Sequence, residues 1–571
     1  MKKSDTSYIR GKTALILLLL IGAGFIGVAV RCFYLQYYKN NYYQQTSIRS
    51  QQSNFIEQPK RGAILDCRGR ILAASYVSDT IFVEPRAVGD IKATAKELAA
   101  IIDLSATEIS KTILTARNTG YAPIIADIRL TNEQRKRIQK IEGIGIESKW
   151  KRYYPMGNVA VHAVGFIGTD GKGMSGLELE YDKMLRGTFG GSTFFSDAAR
   201  RPVSLERFGG SAQDGCDVVL TLDSTIQEIA HSALKKQVAE YQAESGVAMV
   251  MDPCSGAVLA MVSLPDFDPV TLKGADEKSL GNHILSDPFE PGSIIKPVIA
   301  SWAIETGSIK PNDVIFCENG SYSGKGFGTI GEYHSGGFGN LPISGILANS
   351  SNIGMAKIGQ KMGAAKLYEG AKLFGFGRKT GIDLPGEDAG IVWPLKVWTG
   401  YSVARVPFGH EISTTSMQMA CAFCALANHG KPIRPHLVKA LVNNAGNKIK
   451  MEEPAQTAGY IISEKTARWI VEEALVKVVQ EGTGKKAAIE GREVWGKTGT
   501  ANIANKGRGG YDEQNYVASF IGGSPAKEPA VVVLVSIRKP NRSLGKGYAG
   551  GAVSAPVAKE ILEQTLTYLK L

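Results

Sequence analysis

A serine followed three residues later by a lysine can be an activated nucleophile, because i and i+3 share one helix face and the amine can reach the hydroxyl. The sequence holds such pairs at Ser148, Ser232, Ser293, Ser524 and Ser543. Ser148 lies in a basic stretch, Ser232 in an amphipathic segment, Ser524 in a turn and Ser543 in a Gly-rich basic loop. Those settings suit ordinary surface pairs. Ser293 differs: it follows Pro291-Gly292 and opens Ile294-Ile295-Lys296-Pro297-Val298-Ile299-Ala300, an apolar run that Gly307 ends. A helix apolar nearly all round is a buried central helix. Its first turn would hold Ser293 and Lys296 together at the positive end of the helix, where lost hydration and the dipole both favour the neutral amine. Only the neutral amine can accept the serine proton.

Acyl transfer also requires a proton relay and a dock for the polar ends of the substrate. Asn349-Ser350-Ser351-Asn352 offers a hydroxyl and an amide two residues apart, in a cluster that equally suits a helix cap. Lys-Thr-Gly occurs twice. Lys379-Thr380-Gly381 follows a Gly-rich stretch and precedes Leu384-Pro385-Gly386, so it reads as a loop. Lys497-Thr498-Gly499 follows Val494-Trp495-Gly496 and continues into Thr500-Ala501, so it reads as a strand. A strand beside the site, with Gly499 allowing close backbone approach, is what an extended peptide would dock on. Cys421 and Cys424 have redox or metal spacing but sit in the apolar run Met419–Ala427, where cysteine packs as a small hydrophobe. The seven histidines form no His-Glu-x-x-His. Metal catalysis is not expected.

The elements that must position these residues are legible from about Asp214 onward. Ser224-x-x-Gln227 reads as a capping box ahead of an amphipathic helix. Gly246–Met251 and Ala257–Val262 read as a hairpin, Tyr516–Ile521 and Ala530–Ile537 as two later strands, and a final helix starts near Pro556. Helix, strands, a long helical middle, strands and a last helix describe an α+β domain with a largely antiparallel sheet flanked by helices, over residues 214–571. The block at 31–210 is more polar and broken into short segments. Ahead of it, Thr13–Val30 carries no charge and at ~1.5 Å per residue spans about 27 Å, close to a ~30 Å hydrocarbon core. Lys2, Lys3, Arg10 and Lys12 precede it, so residues 1–12 are expected in the cytoplasm and the bulk of the chain outside. Arg31 and bulky residues after it leave no small-residue cleavage site, which favours an uncleaved single-pass anchor over a signal peptide.

With 571 residues, 44% of them hydrophobic and 21% charged, the chain has a globular composition. Its net charge of +12 suits an anionic partner such as a lipid surface or a cell-wall polymer. No zinc-finger, RNP or homeodomain signature favours nucleic acid.

In the order Ser293-x-x-Lys296, Ser350-x-Asn352, Lys497-Thr498-Gly499-Thr500, the chain resembles the penicillin-recognising serine enzymes. Its first block narrows the resemblance. Arg61-Gly62-Ala63-Ile64-Leu65-Asp66-Cys67-Arg68-Gly69-Arg70 is similar to the opening motif of class B penicillin-binding proteins, with Cys67 and the Arg68-Gly69 after it departing from the usual Arg-Asn-Gly. Arg152-Tyr153-Tyr154-Pro155, Val164-Gly165-Phe166-Ile167-Gly168 and Gly176-Leu177-Glu178 resemble the division-specific branch. Tyr548-Ala549-Gly550-Gly551 resembles its closing segment, and His410-Glu411 stands where Gln-Gly is more usual.

The resemblance implies a transmembrane helix at 13–30, a β-rich pedestal of the dimerisation type at 31–210 and a β-lactamase-like transpeptidase domain. It implies a D,D-transpeptidase that cross-links peptidoglycan stem peptides at the septum through an acyl-enzyme and binds β-lactams covalently. Ser293 would be the nucleophile and Lys296 its base. Ser350 and Lys497 would relay the proton to the leaving amine. Asn352, Thr498, Gly499 and Thr500 would bind substrate, and the backbone N–H groups of Ser293 and Thr500 would form the oxyanion hole. No metal or organic cofactor is implied, and the implied partners are stem peptides, β-lactams, the membrane and divisome proteins including a polytopic glycosyltransferase. An elongation-type transpeptidase, or an anchored β-lactam sensor or scaffold with little turnover, are the alternative readings.

Overall fold

The computed structural model describes residues 5–43, 52–196, 202–208, 211–333, 336–443, 445–449, 459–504 and 510–571. Lys2 and Lys3 of the expected cytoplasmic tail, and Gly210 at the expected domain boundary, lie outside them. The chain divides into two compact units, Met1–Pro59 with Gly187–Gln213, and Lys60–Arg186 with Asp214–Leu571.

The first unit contains the helix Asp5–Phe33, which runs into a wider π-turn at Tyr34–Tyr38. The most apolar eighteen-residue stretch within Lys12–Tyr38 has a mean hydropathy of 2.6, and none of its residues is buried. It is long and apolar enough to cross a membrane. The unit also holds a three-stranded antiparallel sheet in the order Gln52–Glu57, Gly190–Ser196, Pro202–Phe208.

The second unit is organised by a five-stranded antiparallel sheet in the order Val258–Leu264, Ser245–Met251, Val531–Arg538, Tyr511–Ser524, Trp495–Ala504. Successive side chains on a strand point to opposite faces, and here both faces are buried. Val531, Val533, Val535 and Ile537 pack with Ala230, Leu234, Ile561 and Leu566 from the helices Ser224–Glu240 and Ala555–Leu569. The alternate residues Val532 and Leu534 face a larger core that includes Ile294, Val298, Ile299 and Phe423. The runs Val247–Met251, Val258–Val262 and Val531–Val535 are therefore continuously apolar, because each has two cores to fill.

The first half of this unit, Lys60–Arg186, is held by one buried carboxylate. Glu178 has no exposed surface. Its Oε2 lies 2.6 Å from Arg61 Nε, and its Oε1 lies 2.7 Å from Arg152 Nε and accepts from the Tyr154 hydroxyl at 3.3 Å. Arg61 also pairs with Asp182 at 2.7 Å. Three motifs that are far apart in the sequence thus converge on one side chain. The motif around Asp66 serves a second junction. Asp66 and Asp223 both pair with Arg70, at 2.6 and 2.5 Å. Short strand Ile64–Leu65 runs parallel to Asp217–Leu220 within a seven-stranded sheet.

The expected capping box at Ser224 is not what starts the following helix. Asp223 is the cap, accepting from the Thr225 N–H at 2.9 Å, and Ser224 donates its hydroxyl to Asp66 at 2.8 Å. A carboxylate already fixed by Arg70 is the stronger acceptor for the free N–H groups. Gln227 is fully buried and bonds both the N–H and the C=O of Met261, at 2.8 Å each.

Removing one member of a buried ion pair strands its partner charge in a dry interior, a cost of roughly 3–5 kcal/mol. Glu178→Ala should therefore lower stability by about 3–5 kcal/mol, read as a drop in denaturation midpoint of the detergent-solubilised protein. A midpoint within error of wild type would show that Glu178 does not organise this half of the unit.

Candidate active site

Ser293 occupies a 3₁₀ turn, Gly292–Ile295, that leads directly into the helix Lys296–Glu305. Pro297 suits the first helical turn, where its missing N–H costs nothing. Every residue from Lys296 to Ala303 is buried, as the apolar run predicts. Ser293 is half-buried and faces a cavity of about 470 Å³ together with Ser350, Asn352, Thr498, Gly499 and Thr500.

Ser350 is the meeting point. It lies between the helices Ile343–Ala348 and Asn352–Leu373, in the left-handed backbone region at φ +59°. A non-glycine residue there is strained and must be held. Lys296 Nζ holds it by donating to the Ser350 carbonyl at 2.6 Å, with the Ser350 Oγ at 3.2 Å and Asn352 Oδ1 at 2.7 Å. Lys497 Nζ approaches the same Ser350 Oγ from the sheet, at 2.9 Å, and donates to the Thr498 carbonyl at 3.0 Å. Both lysines are completely buried behind the cavity wall. Desolvation pushes the Lys296 amine down to about 7, with Glu332 pulling the other way. Lys497 is held well below the ordinary lysine range by desolvation and then by Lys296.

The expected Ser293–Lys296 hydrogen bond is not formed. Among the described residues the Ser293 hydroxyl has no hydrogen-bond partner, and Lys296 turns instead to Ser350 and Asn352. A fully buried amine takes the largest set of acceptors in reach, and the Ser350–Asn352 segment supplies three. Asn352 is engaged on both sides, accepting from Lys296 and donating to the Gly331 carbonyl at 3.2 Å.

Lys497, Thr498, Gly499 and Thr500 lie on the edge strand Trp495–Ala504. A Cβ on Gly499 would come within 2.9 Å of the Ile294 side chain, so only glycine lets the strand lie against the serine turn. Thr498 Oγ1 contacts Thr483 Oγ1 at 2.5 Å, and Thr500 Oγ1 accepts from the Gly550 N–H at 3.1 Å. The other Lys-Thr-Gly is elsewhere. Thr380 and Gly381 donate backbone N–H groups to Glu387, at 2.6 and 3.1 Å, in a closed loop, and Lys379 is exposed. Of the remaining serine–lysine pairs, Ser148 bonds Asp79 on a strand and Ser524 bonds the Glu493 carbonyl.

Three comparisons identify the architecture. The family model for the penicillin-binding protein transpeptidase domain matches residues 246–563, more than half of the chain. The chain belongs to the penicillin-binding protein transpeptidase family. The model for the penicillin-binding protein dimerisation domain matches residues 56–220, which makes it a class B penicillin-binding protein. It is 32% identical to stage V sporulation protein D of Bacillus subtilis over 99% of this chain and 87% of that one. It is 28% identical to the peptidoglycan D,D-transpeptidase FtsI of Escherichia coli over 90% of this chain and 84% of that one. The crystal structure of penicillin-binding protein 3 from Mycobacterium tuberculosis, complexed with aztreonam, superposes with a TM-score of 0.69 at 28% identity, covering 90% of this chain and 98% of that one.

In this penicillin-binding protein the sequence reading missed Glu332. Its carboxylate accepts from the Ser351 hydroxyl at 2.5 Å and from the Asn352 and Ile353 N–H groups at 2.8 and 3.1 Å. It thereby fixes the helix start that carries Asn352. Glu332 sits in a loop with no periodicity, so nothing local marks it. Thr483, between Gly482 and Gly484, was also missed; that turn signal was available.

One lysine 13Cε resonance should titrate near pH 7 and disappear in Lys296→Met. If every lysine in the folded protein titrated near the ordinary ~10.4, the buried-amine geometry would be refuted.

Proposed function

We propose that the chain is a peptidoglycan D,D-transpeptidase that works through a Ser293 acyl-enzyme, acts at the division septum and is acylated by β-lactams. The observation that carries the mechanism is the convergence of Lys296 and Lys497 on Ser350 Oγ, behind a cavity that exposes Ser293. The relative named a peptidoglycan D,D-transpeptidase supports the reaction, and the aztreonam-bound neighbour supports the β-lactam.

Ser293 Oγ attacks the penultimate D-Ala carbonyl, and its proton passes to neutral Lys296. Ser350, placed between the two amines, hands a proton to the leaving D-Ala nitrogen and is reprotonated from the lysine side. The Ser293 and Thr500 N–H groups stabilise the oxyanion, where losing one donor typically costs about 3–4 kcal/mol. Asn352 and Thr498 to Thr500 hold the donor peptide along the edge strand by β-addition. An amine from a neighbouring stem then takes the acyl group. The apolar helix anchors the protein in the cytoplasmic membrane with its amino terminus inside, as its basic flank indicates. Residues 31–210 form the pedestal and 214–571 the catalytic domain. The division-type motifs of the first half support a septal role among divisome proteins, including a polytopic glycosyltransferase.

Ser293→Ala should abolish covalent labelling by a fluorescent penicillin, while Ser148→Ala and Ser543→Ala retain it. Stoichiometric labelling of folded Ser293→Ala would move the nucleophile elsewhere. Lys497→Ala should slow acylation by ~100-fold or more, on the scale of a lost active-site electrostatic contact; Lys379→Ala should not change it. Because only the neutral amine accepts the proton, the acylation rate of the free enzyme should rise with pH through about 7. Lys296→Arg stays charged throughout and should acylate hardly at all. A substantial rate in Lys296→Arg would assign the base to another group. A fluorescent fusion should gather at midcell in dividing cells; an even signal along the side wall would reassign the enzyme to elongation.

A further inference from the structure

His410 lines the same cavity as Ser293 and has no part in the machinery above. Its backbone is locked against the serine turn. The Gly292 N–H donates to the Gly409 carbonyl at 3.2 Å, and a Cβ on Gly409, which sits at φ +91°, would come within 2.2 Å of the Gly292 backbone. His410 is therefore fixed next to the segment that carries the nucleophile.

The ring is oriented from behind. Its Nδ1 lies 2.9 Å from the Tyr511 hydroxyl and 3.1 Å from Glu290 Oε2. Glu290 Oε1 accepts from the Glu411 N–H at 3.0 Å and from the Tyr511 hydroxyl at 3.2 Å. Glu290 Oε2 is buried and accepts no hydrogen bond among the described residues. A carboxylate oxygen is an acceptor only, so the Tyr511 hydroxyl donates to Glu290 Oε1 and its own oxygen is left to accept from His410 Nδ1. The Tyr511 proton is already directed at Glu290, which leaves Nδ1 the donor. That tautomer puts the lone pair on Nε2, for which no hydrogen bond is formed among the described residues. Phe408 and Tyr511 clamp the ring by edge contacts, each with centroids 5.2 Å away. A carboxylate behind Nδ1 with Nε2 open is the arrangement of a positioned general base.

We propose that His410, oriented by Glu290 and Tyr511, is the general base that activates the incoming nucleophile in the second half of the reaction, a role that rests on the acyl-enzyme reading above. Ser293 then carries the acyl group as an ester. The acceptor amine forms a nitrogen–carbon bond to the ester carbonyl while the carbon–oxygen bond to Ser293 breaks. The proton lost by the amine goes to His410 Nε2, and Ser293 Oγ recovers a proton from the Lys296–Ser350 side. His410 returns its proton to solvent. The acid and the base of this step are then separate groups at one cavity, which Ser350 and His410 both line. Lys296 serves the serine, and His410 serves the acceptor. The charged and titratable groups around the ring are Glu290, Tyr511, Glu411 on its own segment, whose carboxylate accepts from Ser402, and Arg405, whose carbonyl accepts the His410 N–H.

The test separates the two half-reactions in the full-length protein in detergent. Acylation is followed with a fluorescent penicillin. Transfer is followed with a D-Ala thioester donor and D-alanine as the added amine. His410→Gln should acylate within ~2-fold of wild type yet transfer at least ~100-fold more slowly, the usual lower bound for a lost general base, and the acyl-enzyme should accumulate. Glu290→Gln, which loosens the ring without removing it, should slow transfer selectively and less than His410→Gln does, with acylation unchanged. Normal acylation with wild-type transfer in His410→Gln would overturn this proposal alone. Equal loss of both half-reactions would mark a structural role and also overturn it. A wild-type protein forming no adduct at Ser293 would overturn the acyl-enzyme reading, and this one with it.

Discussion

Two fully buried lysines reaching for one hydroxyl set the terms for everything around them. An ammonium in a dry interior is costly, and two of them side by side more so. The protein meets this cost by geometry: Lys296 comes from a buried helix, Lys497 from an edge strand, and Ser350 from a turn between two further helices. A shift of any of these elements would cost an amine one or more of its acceptors. The central sheet, apolar on both faces, supplies the rigidity that keeps the three in register. Gly499 belongs to the same constraint, since any side chain there would push the strand off the serine turn.

The strained backbone at Ser350 follows from the same demand. Its left-handed conformation turns the carbonyl toward Lys296 while leaving the hydroxyl between the two amines. Glu332 keeps the following helix start in place from the other side, and its negative charge partly offsets the burial of Lys296. The polar cluster at Ser350–Asn352 is thus a helix start and a lysine-binding site at once. Both readings that the residues allowed are present in one turn.

Much of this is legible in the residue pattern alone. The apolar run after Ser293, the hairpin near Gly246 and the final helix near Pro556 all formed where side-chain periodicity placed them. Lys497 could be told from Lys379 because one copy continues a strand and the other sits among loop glycines. What stayed hidden depends on tertiary neighbours. Glu332 matters only because the fold brings its loop against a helix start twenty residues on. Asp223 displaced Ser224 as a cap only because Arg70, far away in the sequence, fixes its carboxylate. The Ser293–Lys296 spacing was right for a shared turn, yet the lysine found better acceptors outside its own helix. Local pattern gives the elements; competition among distant polar groups decides which bonds they make.

The strand Ile64–Leu65 lies between Asp217–Leu220 and Ile71–Val83, and the former also pairs with Val438–Val442. Early chain is therefore an internal rung of a ladder completed hundreds of residues later, while Arg61 and Arg152 wait for Glu178. During synthesis the first half cannot close on itself, and folding is governed by long-range pairing, which is slow and leaves unpaired edges exposed. A fragment begun at Asp214 would carry the converse defect. Its strand Asp217–Leu220 would present an open backbone edge to any passing chain, an invitation to edge-to-edge aggregation. A fragment that keeps this ladder whole must start ahead of Lys60, before the rung, and must leave Lys60–Arg186 in place.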